Sequence, residues 1–308
     1  MGTPALWVGF NLCVLLILAI DLGLFNRHAR AITIREAAAW TAVWVTLSLL
    51  FNAWIFVSHG HRPGTEFLTA YLVEQSLSMD NIFVFLLVFR AFGIASRFQH
   101  RVLFWGVLGA IMLRGSMIAL GTVLIQRFEW ILYFFGAFLL YAGGHMFFRG
   151  QEDFHPERNP LLGWARRIFP MAESVDGEQF FVREGGRWAI TTLFLTLLVV
   201  ESSDVVFAVD SIPAVFGITR EPFLVYTSNI CAILGLRSYY FLLSGALEMF
   251  QYVDEGVSIV LVFVGLKMLA EPWIHVSPLV SLAVVCGILG TALAVSIIAA
   301  RRSRGKGI

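Results

Sequence analysis

VESSDVVFAVDSIPAVFGI, residues 200–218, carries Glu201, Asp204 and Asp210 inside a run otherwise apolar enough to cross a bilayer. An acidic side chain near the membrane midplane costs about 2.5–3.5 kcal/mol on insertion scales, so such groups face a bundle interior and mark an ion or proton path. A second stretch, VEQSLSMDNIFVF at residues 73–85, sets Glu74, Asp80 and Asn81 in the same kind of surroundings. Together the two stretches predict a polar site inside a membrane-embedded bundle, with the rest of the chain as its scaffold.

Composition agrees. The 308 residues are 58% hydrophobic and 14% charged, with a mean hydropathy of +0.78. That exceeds the apolar content of soluble domains and makes lipid the solvent. A net charge of +1, with the basic residues scattered over short loops, points to neither nucleic acid nor an acidic partner. Cys13, Cys231 and Cys286 lie in apolar runs without CxxC spacing, which argues against disulfides and thiolate metal sites. Residues 1–8 have no basic n-region and no convincing cleavage site precedes Asp21, so the first run reads as a retained helix.

Apolar spans of roughly 20 residues fall at 5–25, 37–57, 67–89, 101–125, 130–148, 189–212, 222–243, 254–271 and 279–300. The expectation is therefore a single all-α membrane domain of about nine transmembrane helices over residues 1–308. Pro213, Pro222, Pro272 and Pro278 stand at or near span ends, where a helix can stop. Placing the N-terminus outside assigns 16 loop and tail Lys and Arg residues to one face and Arg62, Arg127 and Arg220 to the other. That bias puts the C-terminus in the cytoplasm. The long connection 149–188 is then cytoplasmic and reads as a solvated tether, with an amphipathic helix at Leu161–Phe169. Trp40, Trp44, Trp54, Trp130 and Trp273 read as an interfacial belt. His59 and His61, in an extracytoplasmic loop with Glu66, could collect a metal, but a nonspecific role is the commoner one.

The chain also repeats itself. At an offset of 124 residues Ser78 meets Ser202, Asp80 meets Asp204, Phe83 meets Phe207, and Phe92-Gly93-Ile94 meets Phe216-Gly217-Ile218. With small gaps Arg114 meets Arg237, Gly143 meets Gly265 and Met146 meets Met268. Repeat A covers about 67–148, the linker 149–188 and repeat B about 189–271, with flanking helices in 1–57 and 279–300. Units of three spans each must cross in opposite senses, which predicts a three-plus-three inverted repeat with a midplane site where the copies meet.

Asp80 and Asp204 are mates, whereas Glu74 aligns with Leu198 and Asp210 with Leu86. On a regular helix Asp204 and Asp210 are about 120° apart and roughly 9 Å along the axis. Convergence of Glu201, Asp204 and Asp210 thus predicts a helix unwound or kinked between Asp204 and Pro213. Five acids with Asn81, Ser78 and Ser202 nearby make a hard, oxygen-rich set that suits Mg²⁺, Ca²⁺ or Mn²⁺. Such a site should hold protons when empty and release them as a cation binds. Against this stands a bland alternative, in which the acids are structural ion pairs with Arg114 and Arg237.

SLSMDNIFVF at 76–85 and ESSDVVFAVDSIPAVFGIT at 201–219 resemble the two signature segments of the TerC family of integral membrane proteins, over about Asp21–Ala270. Met79 stands where Leu is expected. The family is named for tellurium resistance and includes the pH- or manganese-responsive Alx proteins. The resemblance implies a bacterial inner-membrane protein related to LysE-type inverted-repeat exporters, with members linked to manganese efflux. Its membrane-embedded acids match Glu74, Asp80, Glu201, Asp204 and Asp210. Other members are associated with tellurite resistance or, in plastids, with membrane-protein insertion.

Two functions follow. One is a secondary transporter expelling a divalent cation, foremost Mn²⁺, against protons; no permanently bound cofactor is expected. The other is a membrane scaffold or biogenesis factor, or a tellurite-resistance component, with structural acids. The lipid bilayer is the certain partner, and self-association or contact with other membrane proteins stays open. An enzyme is disfavoured, since HExxH and GxSxG are absent.

Overall fold

The computed structural model describes residues 2–25, 33–128, 130–149, 170–172, 179–184, 187–243, 252–274 and 276–305. In chain order its elements are α1 (Pro4–Phe25), α2 (Ile34–His59), α3 (His61–Ala91), α4 (Ser96–Arg127), α5 (Ile131–Arg149), β1 (Phe181–Glu184), β2 (Arg187–Ile190), α6 (Thr192–Phe216), α7 (Pro222–Leu243), α8 (Val253–Ala270) and α9 (Pro278–Gly305). Each predicted span overlaps one of these helices. Five of them, α2, α4, α5, α6 and α9, are long and apolar enough to cross a membrane by length and composition alone. The protein is an all-α membrane protein.

Helix α7 explains why composition undercounts. Nearly all its residues are buried, among them Thr227, Ser228 and Asn229, because it packs against α2, α3 and α4 at once. A helix enclosed by protein need not be apolar, and its polar side chains find partners in neighbouring helices. Helix α6 packs on α3 and α4, α5 runs along α8, and α9 covers α3 and α8. Helix α1 is fastened to α7 by the Tyr226 hydroxyl, which donates to Asn11 Oδ1 at 2.7 Å. Trp7 adds an edge-on contact with Phe223 at 5.3 Å.

Local signals set the helix ends. Thr33 and Glu36 form a reciprocal capping box at the start of α2, an arrangement worth about 1 kcal/mol. Gly60 alone separates α2 from α3, at φ +93°, a conformation that side-chain-bearing residues rarely adopt. The loop predicted around His59 and His61 is therefore absent: His59 closes α2 and His61 opens α3.

Three further expectations are corrected. Helix α6 runs unbroken through the segment expected to unwind. Pro213 lies inside it and removes only one donor near the end, while the Pro213 carbonyl still accepts from Gly217 N at 2.9 Å. Residues 189 and 190 are the end of a hairpin rather than the start of a span: Phe181 pairs with Ile190 and Arg183 with Trp188. Thr191 then caps α6, its side chain accepting from Phe194 N. Trp44 sits in the core rather than in the expected interfacial belt, whereas Trp130 and Trp273 are exposed. The helix predicted at 161–169 lies outside the described residues.

The α5–α8 contact is a seam of small residues. A Cβ added at Gly143 would stand 2.7 Å from the Ser258 carbonyl, and one at Gly265 would stand 2.8 Å from the Gly136 carbonyl. In lipid, where apolar burial between helices gains little, such close backbone approach is what holds a pair together. Gly144, next in sequence, faces open space. Gly143→Leu and Gly265→Leu should each destabilise the protein by about 1–3 kcal/mol through overpacking. Gly144→Ala should be neutral or stabilising by up to about 1 kcal/mol. Thermal unfolding of the detergent-solubilised variants measures both.

Candidate functional site

Four helices build the polar centre. On α3, Glu74, Ser78 and Asn81 follow one another at i, i+4 and i+7 and so share a face; all three are buried. On α6, Glu201, Asp204 and Ser211 share a face by the same periodicity. Helix α7 contributes Asn229, and α4 sends Arg114 into the space between them.

Arg114 organises the cluster. Its Nη2 donates to Asp204 Oδ1 at 3.1 Å and its Nε to Asp204 Oδ2 at 3.4 Å, the forked geometry that guanidinium and carboxylate favour. Its Nη1 donates to Glu74 Oε1, to Ser211 Oγ at 3.2 Å and to Asn229 Oδ1 at 3.3 Å. Arg114 is 1% exposed, Glu74 0% and Asp204 2%. One positive charge thus faces two carboxylates, and Glu74 Oε2 has no hydrogen-bond partner. Ser78 Oγ, Asn81 Oδ1 and Asn229 Nδ2 are likewise buried and unpartnered. Polar atoms left open in a buried site are costly and ask for a further ligand or water.

The other predicted residues are placed as follows. The Glu201 carboxylate lies over Gly109 on α4, in the space that a Cβ there would occupy. A small cavity of about 10 Å³ is lined by Glu201, Asp204, Gly106 and Ala110. Asp210 is half-buried on another face of α6, as an unbroken helix requires. Ser202 Oγ donates to the Val199 carbonyl of its own helix at 2.8 Å. Asp80 continues the backbone of α3, and its side chain lies outside the described residues. Arg237 is half-buried on α7, within electrostatic reach of His100. Among the described residues no three His, Cys, Asp or Glu side chains stand together as a metal-holding group. Arg114 occupies the oxygens of Glu74 and Asp204 instead.

Ser211 and Asn229 were not singled out from sequence. The polar triplet Thr227-Ser228-Asn229 within an apolar span was the available signal. A second polar region lies where the α2–α3, α6–α7 and α8–α9 connections meet, around a cavity of about 830 Å³ lined by Arg62, Glu66, Thr219, Arg220, Lys267 and Glu271. There Thr219 Oγ1 donates to Glu66 Oε2 at 2.7 Å and Arg62 Nε to Glu66 Oε1 at 2.9 Å. Arg220 bridges to Glu271 at 2.5 Å.

Residues 59–304 match the integral membrane protein TerC family. The chain belongs to the TerC family. Among similar proteins, the membrane protein STKORF319 of Myxococcus xanthus is 47% identical over 303 residues, covering 98% of this chain and 95% of the relative. The protein of Escherichia coli K12 named membrane-bound redox modulator Alx is 50% identical over 298 residues, covering 94% and 93%. A membrane protein of Rickettsia bellii is 34% identical over 292 residues, covering 95% and 97%. No solved structure matches the chain.

Removing Arg114 leaves two buried carboxylates uncompensated. Arg114→Met should therefore destabilise the protein by about 3–5 kcal/mol, whereas the triple variant with Glu74→Gln and Asp204→Asn should recover most of that loss. Thermal unfolding in detergent checks both, and a triple variant no better than the single one contradicts the pairing.

Proposed function

We propose that the protein is a secondary transporter that exports a hard divalent metal cation, with Mn²⁺ as the cargo, in exchange for protons across a bacterial inner membrane. The observation that carries this reading is the buried oxygen cluster of Glu74, Asp204, Ser211 and Asn229 between four helices, with unpartnered Glu74 Oε2, Ser78 Oγ and Asn81 Oδ1 beside it. Carboxylate, amide and hydroxyl oxygens are the ligands that hard divalent cations take. In this reading Glu74, Asp80, Glu201, Asp204 and Asp210 handle the cation and its protons. Ser78, Asn81 and Ser202 support them, and Arg114 and Arg237 are the counter-ions.

The architecture proposed with it is nine spans, the N-terminus outside and the C-terminus cytoplasmic, and α3–α5 inverted with respect to α6–α8. The packing supports the inversion. At an offset of 122 residues Gly143 corresponds to Gly265 and Gly136 to Ser258. The two seam contacts, Gly143 on Ser258 and Gly265 on Gly136, exchange under that correspondence, as a two-fold relation requires. The pairs α3–α7 and α4–α6 exchange in the same way. The charged cavity around Glu66 then lies at the extracytoplasmic mouth, where His59 and Arg62 also stand.

A second reading keeps the chain as a membrane scaffold or biogenesis factor. It is favoured by the full engagement of Arg114, since an ion pair can be structural. The relatives' name, redox modulator, belongs to those relatives; here Cys13, Cys231 and Cys286 are free thiols.

Metal-driven flux separates the two, because a scaffold carries none. In vesicles, Asp80→Asn and Asp204→Asn should each reduce Mn²⁺ flux to the protein-free level while the protein inserts normally. Retention of flux in both variants refutes the site. Apparent Mn²⁺ affinity should strengthen as pH rises, because protons and metal compete for the same carboxylates; an affinity that weakens with pH overturns the proton exchange. Labels at Arg158 and Arg302 should report from the cytoplasm and labels at Arg62 and Arg220 from outside. Arg62 and Arg158 on one side would refute the inversion.

A further inference from the structure

Five oxygen atoms converge on the Arg114 guanidinium: Glu74 Oε1, both carboxylate oxygens of Asp204, Ser211 Oγ and Asn229 Oδ1. They come from α3, α6 and α7, while the cation comes from α4. Nothing but oxygen contacts it through these bonds, and the donor types are those that would coordinate a hard divalent cation. A guanidinium is weakly hydrated compared with such an ion and is the side chain best suited to sit, charged, in a dehydrated cage. It is also tethered, so it can neither leave the protein nor be transported.

We propose that Arg114 is a resident cation: it fills the metal site of the unloaded protein, and the cargo binds by displacing it. This deepens the transport reading above and rests on it. Once loaded, the site needs no arginine, because the metal supplies the positive charge that Arg114 supplies when the site is empty. The device keeps the site's negative charge compensated in both conditions, so the empty protein can turn over across the membrane without bare buried carboxylates.

Two fluxes distinguish this role from a structural one. Full-length protein is reconstituted into vesicles with Mn²⁺ alone as cargo. Net efflux requires the empty protein to return; exchange of tracer Mn²⁺ for unlabelled Mn²⁺ does not. Arg114→Gln should lower net efflux by about tenfold or more beyond any fall in exchange, the equivalent of a lost charged hydrogen bond. Proportional loss of both fluxes, or loss of neither, overturns the proposal. No exchange in the parent overturns the transport reading itself, and the resident-cation role falls with it.

Arg114→Lys keeps the charge but brings three donors in place of the guanidinium fork, so it holds the oxygen cage less firmly. It should tighten apparent Mn²⁺ affinity by about tenfold, the equivalent of one charged hydrogen bond, because a looser resident cation is displaced more easily. Weaker or unchanged affinity refutes the displacement, and this variant decides the question if Arg114→Gln does not reconstitute.

Discussion

A guanidinium shut away from solvent among carboxylate, hydroxyl and amide oxygens is the constraint on which the rest of this molecule turns. Burying Glu74 or Asp204 alone would cost far more than any packing gain nearby could offset. With Arg114 present, the three charges become one hydrogen-bonded unit that ties α3, α4, α6 and α7 together. Helix α7 can then afford Thr227, Ser228 and Asn229 in its interior, since those residues meet protein rather than hydrocarbon. The helices at the periphery carry the apolar surface toward lipid. Exposed Leu12, Leu16, Leu50, Leu120 and Ile298 belong to α1, α2, α4 and α9, which is the inverse of a soluble protein's arrangement and needs no separate explanation in a bilayer.

Much of this was readable from the residues, and for definite reasons. Helix positions followed from run length because hydrocarbon thickness dictates it, and α7 was located correctly at 222–243 even though its composition is too polar for a lipid-exposed span. Glu74 and Asp204 stood out because acids in apolar runs are expensive. Which arginine would meet them was not readable. Arg114 and Arg237 occupy corresponding positions in the repeat, and only tertiary packing decides that Arg114 takes the centre. Ser211 and Asn229 were missed because serine and asparagine inside spans often bond their own helix, as Ser203 does to the Val199 carbonyl.

Convergence of Glu201, Asp204 and Asp210 on one point requires an unwound helix. The chain instead keeps α6 regular and moves the charge: an arginine from a neighbouring helix reaches the acids that face it, and Asp210 stays on another face. Proline near a helix end proved a weak breaker, because the lost bond at Pro213 costs little where the next turn is already ending. The hairpin at 181–190 gives little hydropathy signal because its stretch is charged, although Val182, Trp188 and Ile190 are residues that strands favour. Its two strands lead directly into the cap of α6, so the linker has an ordered end.

The glycine seam between α5 and α8 has a consequence for the balance between conformations. A contact that exchanges with itself when the two halves trade places has the same free energy whichever half leads. It holds the halves together without choosing a side, much as a pivot does. If the halves are inverted copies, any preference of the resting protein for one opening over the other must come from positions without a counterpart. Glu74 opposite Leu198 and Asp210 opposite Leu86 are such positions, and each places a charge in only one copy. The same acids that mark the site would then also set the resting population of its two facings.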